Sequence, residues 1–461
     1  MRKQTQATLE SLQMAIHGVT APFVCEGSVI TKEPVTIVFR DKSRFDVVRA
    51  ADAFEQKENV RPLLEQCKPA PFGDGKKTRY DRSVRDALQL KAENKGFNVE
   101  NFDPQSDGIL KQIQRELLPH DPNPISAELY TVNVYTRGGH FKSHKDTPRG
   151  EDMFGSLVVC LPSQFSRGSL VLTHRGIVKK FNWGTAISQQ KEPNLLHWAA
   201  FFGDVNHEIE SISTGVRVTL TYLLRRGDNN LLSDNSGADD QTPRVHEAWL
   251  ALLADKSFLP KGGTLAYPCC HLYHQDARFQ QVQLAISRQS ATMLKGRDQL
   301  VAATALQAGL EVNFNPYMFE NCVDETWQLE RFPTPVEKKK LRRQMDSDQL
   351  QKALPIRGDS VKDGDFDVTW IEEPPNSARA SRKSEEDGDS ELPVASLLHS
   401  CDYCPWGYFG NESSQVDLYT YAALHIEIPP FDSGIRAAGK LGTSTSVERK
   451  GSTRERKPRQ E

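Results

Sequence analysis

The chain has 461 residues, of which 38% are hydrophobic and 26% are charged, and its formal net charge is −3. These values are typical of a soluble globular protein with two or three folding units. The sequence has no run of about 18 apolar residues and no apolar N-terminal segment before a small-residue cleavage site, so neither a membrane span nor a secretory signal is predicted. We therefore expect a cytoplasmic or nuclear protein, and the near-neutral charge does not indicate a polyanionic partner.

The first 95 residues predict a small mixed α/β region. A helix is expected at residues 8–16, and β-rich runs occupy residues 34–39 and 45–48. A two-stranded unit with so little core is marginal by itself. We expect this region to pack on the part of the chain that follows.

Residues 96–228 carry the densest structural signal. An apolar stripe of helical period predicts a helix at 109–118. Short β-rich runs separated by turn residues then follow, at 129–136, 156–161, 169–173, 197–202, 207–212 and 217–224. Many short strands at regular spacing are typical of a sandwich, a barrel or a jelly roll.

The remaining chain divides into a linker, a C-terminal region and a tail. Residues 227–243 are polar and turn-rich, as in linkers. Residues 245–430 are predicted to be mainly helical, with helices at 247–253, 298–310 and 337–354 and a disordered segment at 356–393. Residues 431–461 are expected to form a disordered basic tail. A solvated tail is favoured over a nucleic-acid-binding one, because no aromatic residues interleave its charges.

A His-x-Asp pair lies at His144 and Asp146. Two residues that are two positions apart on one strand point to the same face. A more distant histidine on another strand can then complete a facial triad of two histidines and one carboxylate, which suits Fe(II) and leaves open coordination positions. The histidine at position 207, after a β-rich run and a turn, fits this role.

The wider spacing separates this pair from a second one. Ten residues after His207, a β-rich run contains Arg217, which can pair with a carboxylate through two parallel hydrogen bonds. Thr219 shares the face of Arg217 and offers a hydroxyl group. The other pair, His274-x-Asp276, is not followed by a comparable histidine and base. We therefore interpret His274 and Asp276 as a chance match.

The stretch from about 127 to 226 resembles the 2-oxoglutarate/Fe(II)-dependent dioxygenase domain of the prolyl 4-hydroxylase type. The pieces that match are Tyr135-x-x-Gly-Gly-x-Phe-x-x-His144-x-Asp146, then His207-Glu-Ile, then Gly215-Val-Arg217-Val-Thr. A looser resemblance, to large uncharacterised fungal proteins with this domain, covers most of the chain. It includes the segments at 198–210, 262–265, 294–298 and 408–412.

The resemblance implies an α+β protein whose catalytic core is a double-stranded β-helix, or jelly roll, with flanking helices. His144, Asp146 and His207 would be the catalytic metal ligands, and Arg217 would anchor 2-oxoglutarate. Tyr135 corresponds to a tyrosine that lines the co-substrate pocket in relatives. Some relatives have a second pocket tyrosine on the next strand, where this chain has residues 157–161 without one.

The function implied is that of an enzyme, an oxidoreductase using Fe(II), 2-oxoglutarate and O2 and releasing succinate and CO2. The resemblance also leaves room for ascorbate as a cofactor. A prolyl residue in a protein is the substrate that the resemblance favours, while a small molecule or a modified nucleic-acid base stays open. The main alternative is a catalytically inactive jelly-roll protein that keeps the fold for binding.

The eight cysteines are too sparse to build a disulfide scaffold, so reduced thiols are predicted. Two short groups leave a zinc site open, Cys401-x-x-Cys404 with His399 and Cys269-Cys270-His271. Neither group has a second pair of ligands at zinc-finger spacing. Buried thiols are the favoured interpretation of both.

Overall fold

The structure is a computed structural model. It describes residues 2–19, 21–50, 52–74, 77–93, 96–121, 123–150, 152–227, 241–274, 284–286, 291–319, 325–328, 361–362, 368–371, 409–410, 419–434 and 436. The predicted linker except its ends, the charged helix at 337–354, most of 356–393 and nearly all of the basic tail lie outside the described residues. So do Asp276, His399, Cys401 and Cys404.

The described N-terminal part contains helices and short strands. The helices are α1 (Arg2–His17), α2 (Ala53–Asn59) and α3 (Arg61–Gln66). The strands are β1 (Val24–Ile30), β2 (Val35–Phe39), β3 (Arg44–Val47), β4 (Lys68–Pro69), β5 (Phe72–Asp74), β6 (Lys77–Arg79), β7 (Arg85–Asp86), β8 (Leu88–Lys91) and β9 (Phe97–Glu100). The helix predicted at 8–16 and the strands predicted at 34–39 and 45–48 are confirmed within α1, β2 and β3.

The middle of the chain contains the longer strands. Its helices are α4 (Ile109–Leu117) and α5 (Trp183–Gln189). Its strands are β10 (Ile125–Tyr135), β11 (His140–His144), β12 (Met153–Cys160), β13 (Phe165–Arg167), β14 (Leu170–His174), β15 (Ile177–Phe181), β16 (Leu195–Phe202), β17 (Asn206–Ile209), β18 (Ile212–Gly215) and β19 (Arg217–Arg226). The predicted helix and the six predicted β-rich runs are confirmed, with the run at 207–212 divided between β17 and β18.

The described C-terminal part combines helices with a sheet. Its helices are α6 (Gln241–Ala254), α7 (Gly296–Gln307) and a 3-10 turn (Phe431–Ser433). Its strands are β20 (Gly263–Pro268), β21 (Tyr273–His274), β22 (Leu284–Ala285), β23 (Glu311–Phe319), β24 (Glu325–Gln328), β25 (Val361–Lys362), β26 (Val368–Trp370), β27 (Phe409–Gly410) and β28 (Tyr419–Ile428).

This sheet differs from the predicted mainly helical character of residues 245–430. Its order is β25-β24-β23-β28-β20-β26, and β20 pairs with β26 in parallel. The helical period at α6 and α7 was visible in the sequence, whereas most of the described strands in this region have only two to four residues. Short apolar runs cannot be assigned to strand or helix by their period alone.

Two antiparallel sheets form the centre of the molecule. The larger has the order β1-β16-β12-β19-β10-β8-β4, and the smaller has the order β15-β14-β17-β11-β7. Side chains of both belong to one buried apolar cluster, including Val132, Leu157, Leu172 and Ile209. Strand β1 forms an edge of the larger sheet, so the N-terminal residues contribute directly to it.

A second buried apolar cluster joins α1 to the C-terminal part. It contains Leu12 and Ile16 of α1, Trp249 of α6, Val301 of α7 and Ile426 of β28. Helix α4 instead buries its apolar stripe in the first cluster. No described helix has the length and apolar character needed to span a membrane.

Strands β10 and β19 place a row of polar side chains between the two sheets. Their register pairs Tyr135 with Arg217 and Asn133 with Thr219. Alternate residues of a strand point to opposite faces, so these residues share one face. Before β19, Gly215 has a φ of 76°, and a Cβ there would collide with the carbonyl oxygen of Gln164. A glycine is therefore needed two residues before Arg217.

Candidate metal and co-substrate site

His144 and His207 face each other across neighbouring strands of the smaller sheet. They are paired residues in the register of β11 and β17, and their ring centroids are 4.0 Å apart. Each imidazole has its Nδ1 beside a backbone carbonyl, that of Lys142 at 2.8 Å and that of Val205 at 3.1 Å. Because a carbonyl only accepts, each Nδ1 carries the proton, and each Nε2 offers a lone pair.

Asp146 joins the two histidines from a position just past the end of β11, rather than from the same strand as the sequence predicted. Its backbone N–H donates to the carbonyl of Gly203 at 3.2 Å, and its Oδ2 accepts from the hydroxyl of Ser156 at 2.6 Å. Its Oδ1 lies 3.6 Å from the Nε2 of His207. Two ligand atoms each about 2.1 Å from one ion can be at most about 4.2 Å apart, so this pair fits a shared ion.

The three residues, called here the cavity triad, are buried. Burial, together with the neighbouring His207, holds the pKa of His144 well below its ordinary range. The neutral imidazole is the form that binds a metal ion. The electrostatic setting therefore keeps His144 in its ligand form at neutral pH.

Arg217 is a buried cation at the end of the same cavity. Its side chain is 1% exposed, and its Nε and Nη2 have no hydrogen-bond partner among the described residues. Its guanidinium carbon lies 5.5 Å from the ring centroid of Tyr135 and 5.6 Å from that of Trp183. Burial raises the pKa of the adjacent Cys160 to about 11, so that thiol is neutral and does not balance the charge. A buried charge without a counterion is strongly unfavourable, and the site is therefore suited to an anion.

The predicted residues line a single narrow cavity of about 60 Å³. They are Tyr135, His144, Asp146, His207, Arg217 and Thr219. Apolar side chains from both sheets, among them Val158, Leu170 and Phe201, complete its walls. The arrangement combines two histidines, one carboxylate and a buried cation in a buried enclosure, where electrostatic interactions are strong.

Several residues of the cavity were not found from the sequence. Asn133 and Thr221 follow from strand alternation once β10 and β19 are known. The Ser156 hydroxyl that holds Asp146 comes from the predicted strand β12. Arg85 could not have been found, because its strand β7 has only two residues and lies far away in the sequence.

A second group, called here the Asp204 cluster, consists of His174, Asp204 and His271. Among the described residues, these three have ligand atoms that all lie within 4.8 Å of one another, a criterion that the cavity triad does not meet. The carboxylate of Asp204 already accepts from the Lys295 ammonium at 2.8 Å, the Leu272 N–H at 3.0 Å and His271 Nδ1 at 3.1 Å.

The surroundings of the Asp204 cluster are those of an ion pair. Burial opposes ionisation, but Lys295 and His271 hold the pKa of Asp204 well below its ordinary value. The ammonium of Lys295 therefore supplies the positive charge that a metal ion would bring. Next to it, burial raises the pKa of Cys270 to about 11, so this thiol is protonated and the suggested Cys269-Cys270-His271 zinc site lacks a thiolate there.

The Asp204 cluster is connected to the cavity triad through one turn. The carbonyl of Gly203, just before Asp204, accepts from the N–H of Asp146. The carbonyl of Val205, just after it, orients His207. Residues of the C-terminal part, through Lys295, thus hold the turn that positions two members of the cavity triad.

Comparisons with known proteins give similar structures but no sequence family. The similar structures include prolyl hydroxylases and 2-oxoglutarate/Fe(II) oxygenases, whereas no protein-family model and no curated protein matches the sequence. One is a prolyl-4-hydroxylase of Pseudomonas putida, with 15% identity over 47% of this chain and 100% of that chain and a TM-score of 0.27.

Two others show the same degree of similarity. A Trichoplax adhaerens prolyl hydroxylase, in complex with a hypoxia-inducible-factor peptide, has 14% identity over 49% of this chain and 93% of that chain, with a TM-score of 0.26. A 2OG-Fe(II) oxygenase family protein of Burkholderia pseudomallei has 13% identity over 37% of this chain and 80% of that chain, with a TM-score of 0.24. Similarities this low do not establish function, which is inferred below from the cavity itself.

Proposed function

We propose that the protein is an Fe(II)- and 2-oxoglutarate-dependent oxygenase whose two central sheets form a double-stranded β-helix. The observation that carries this proposal is the pairing, in one buried cavity, of the cavity triad with a buried arginine that lacks a counterion. A facial set of two histidines and one carboxylate suits Fe(II) and leaves open positions. A dicarboxylate that binds the metal at one end would neutralise Arg217 at the other.

The cavity triad would hold the metal through His144 Nε2, His207 Nε2 and Asp146 Oδ1. The backbone carbonyls behind the two imidazoles fix their orientation and raise their basicity. The Ser156 hydroxyl holds the other oxygen of Asp146 and so orients its carboxylate. When bound, iron and 2-oxoglutarate would supply the oxidising chemistry together with O2, with one oxygen atom going to succinate, one to the substrate, and CO2 released.

Arg217 would bind the 5-carboxylate of 2-oxoglutarate through its Nε–H and Nη2–H groups. These donors form a fork that matches a carboxylate, and the aromatic rings of Tyr135 and Trp183 fix the guanidinium in place. Thr219, on the same strand face, would add a hydroxyl donor. The apolar walls would exclude water and strengthen each of these contacts.

A prolyl side chain is the substrate that the sequence resemblance favours for the oxygenation, and ascorbate would fit as an accessory reductant. A catalytically inactive binding protein with the same fold is the competing proposal. The inactive alternative predicts that 2-oxoglutarate binds without being consumed. Measuring 2-oxoglutarate turnover therefore distinguishes the enzyme from the inactive binding protein.

The test is 2-oxoglutarate turnover by the full chain. Purified protein with Fe(II), 2-oxoglutarate and air should form succinate in the absence of a second substrate at a slow uncoupled rate, and His207→Ala should form none. His274→Ala, from the other His-x-Asp pair, is the matched control and should retain the rate. A mass-spectrometric search of candidate substrates for the gain of one oxygen atom would then identify the substrate. Absence of succinate from the wild-type protein, with 2-oxoglutarate bound, would favour the inactive alternative.

A further inference from the structure

Arg85 is a second buried cation in the wall of the same cavity. Its side chain is 7% exposed, and it reaches the cavity from strand β7 of the smaller sheet. Its Nη1 donates to the carbonyl of Pro71 at 2.7 Å, and its Nη2 donates to the side-chain oxygen of Asn133 at 2.9 Å. Its Nε has no partner, and no carboxylate pairs with it among the described residues. All its hydrogen-bond acceptors are therefore neutral.

The charges that line the cavity do not balance. Among the residues that line it, Arg85 and Arg217 are positive and Asp146 is negative. On the proposed function, a divalent iron and a doubly charged 2-oxoglutarate cancel each other. One positive charge is left over after both have bound, and an uncompensated charge in a buried cavity is costly.

Arg85 is also held in one orientation close to the cavity triad. Its guanidinium carbon lies 4.4 Å from the ring centroid of Phe141, and that ring stacks on His144 with centroids 3.6 Å apart. The amide of Asn133 accepts from Arg85 on one side and donates to the hydroxyl of Thr221 at 3.1 Å on the other. An orientation that is fixed before binding lowers the entropic cost of binding a ligand.

We propose that Arg85 binds a second carboxylate in the cavity, in addition to the one that binds Arg217. This inference rests on the proposed function. The carboxylate has two sources with the same chemistry. An acidic group on the molecule that is oxygenated would balance the remaining positive charge. The 1-carboxylate of 2-oxoglutarate would bind Arg85 directly, but it is already counted and would leave that charge in place.

The experiment uses the full chain loaded with Mn(II) under anaerobic conditions, and compares wild type with Arg85→Gln by titration calorimetry. If the 1-carboxylate is the ligand, Arg85→Gln should weaken 2-oxoglutarate by roughly tenfold or more. If a substrate acid is the ligand, 2-oxoglutarate affinity should be unchanged. Acetate should then bind to the wild-type protein saturated with 2-oxoglutarate. Acetamide should not bind to the wild-type protein, and acetate should not bind to the Arg85→Gln protein.

Two further variants keep the test informative. Asn133→Asp would place a carboxylate against Arg85 and occupy it. It should therefore weaken the same ligand that Arg85→Gln weakens, whether 2-oxoglutarate or acetate, while keeping or raising the melting temperature. That combination cannot arise from unfolding. Arg82→Gln removes an exposed arginine three residues earlier, which pairs with Asp86 at 2.9 Å, and should change neither titration.

Unchanged 2-oxoglutarate affinity in Arg85→Gln, together with no acetate binding to the wild type, would overturn the inference and leave the proposed function intact. If the wild-type protein binds no 2-oxoglutarate, the proposed function fails. The Arg85 inference is then decided by acetate in the metal-free protein. Binding that is lost in Arg85→Gln supports it, and no binding overturns it.

Discussion

The cavity triad and the Asp204 cluster have the same composition, two histidines and one aspartate, and both are built around buried side chains. They differ in what surrounds them. In the Asp204 cluster the carboxylate already accepts from an ammonium, a backbone N–H and an imidazole. In the cavity triad the two imidazoles are oriented by carbonyls and face a cavity that contains unpaired cationic nitrogens.

This difference shows why the proximity of ligand atoms alone does not identify a metal site. The Asp204 cluster is the tighter group, yet Lys295 already neutralises its aspartate. The ligand atoms of the cavity triad do not all lie within 4.8 Å of one another. Its cavity, however, carries charge that the protein itself does not compensate. An uncompensated buried charge is the stronger sign of a ligand, because it lowers the stability of the protein when no ligand is bound.

The largest expected effect concerns metal binding. His207→Ala should lose Fe(II) from the cavity triad and all succinate formation, because it removes one of the three proposed ligands. His174→Ala, the matched change in the Asp204 cluster, should retain both. The measurement is iron content per chain after anaerobic loading, together with succinate formation. The opposite pattern, with iron lost in His174→Ala and kept in His207→Ala, would move the metal site to the Asp204 cluster.

The next effect concerns the ion pair of the Asp204 cluster. Lys295→Met leaves Asp204 buried without its cation, which should destabilise the protein by about 3–5 kcal/mol. The turn at Gly203 and Val205 also orients Asp146 and His207, two of the proposed metal ligands, so Fe(II) affinity should fall by roughly 10–100-fold. Urea unfolding and a metal titration measure the two effects.

The control for this prediction is the double variant Asp204→Asn with Lys295→Met, in which both charges are removed. Most of the stability should return, since a neutral amide tolerates burial better than an unpaired carboxylate. If Lys295→Met alone is as stable as the wild type, the ion pair does not hold the turn and the coupling to the cavity triad is lost.

A smaller effect is expected at Arg217. A charge-assisted pair with a carboxylate is worth roughly 1.5–3 kcal/mol, so Arg217→Ala should weaken 2-oxoglutarate by roughly tenfold to a hundredfold. Arg217→Lys should restore affinity only in part, because an ammonium cannot make the parallel two-bond contact. Calorimetric titration of the Mn(II)-loaded protein measures this.

Iron content serves as the control, and it should not change in Arg217→Ala because Arg217 is not among the proposed metal ligands. Arg217→Met adds a sharper test. It removes a buried unpaired charge while keeping volume, so the apo protein should become no less stable while 2-oxoglutarate affinity falls. Undiminished affinity in both variants would place the co-substrate anchor elsewhere.

The central strands could be predicted from the sequence because their alternation and turn residues are local features. The positions of His144, His207 and Arg217 on strands could be predicted for the same reason. The position of Asp146 was predicted less well, since β11 ends at His144 and the backbone beyond it is held by the carbonyl of Gly203. That contact joins residues far apart in sequence, which local patterns do not encode.

Other features depend on long-range contacts and could not be predicted. Arg85 reaches the cavity from a two-residue strand, and Lys295 reaches Asp204 from the C-terminal part. The C-terminal sheet was missed because β28 mixes apolar residues with Thr420, His425 and Glu427 and ends before Pro429 and Pro430. Its strand character follows from pairing with β20 and β23, not from its own period.

The smallest expected effect is a pH dependence that arises in the Asp204 cluster. Burial, together with the neighbouring His271, lowers the pKa of His174 from 6.5 to about 3. The unfolded chain therefore binds one more proton at this residue between those two pH values. Stability from a neutral His174 is fully present above pH 6.5 and is lost as the pH falls toward 3, by about 2 kcal/mol between pH 7 and pH 5.

His174→Phe removes this titration while keeping an aromatic ring to stack on His271, whose ring centroid lies 4.6 Å from that of His174. Urea unfolding at pH 7 and pH 5 should therefore show a smaller loss of stability in the variant than in the wild type. Other buried histidines such as His144 are present in both proteins, so the difference between the two losses reports on His174 and its coupling to His271. The difference in stability loss should be the same with and without saturating Fe(II), because the ion is expected at the cavity triad.

A metal ion bound to His174 would compete with protons and make the loss of stability of the wild type between pH 7 and pH 5 steeper when Fe(II) is added. A steeper loss with Fe(II) that His174→Phe abolishes would therefore show that the Asp204 cluster binds metal despite Lys295.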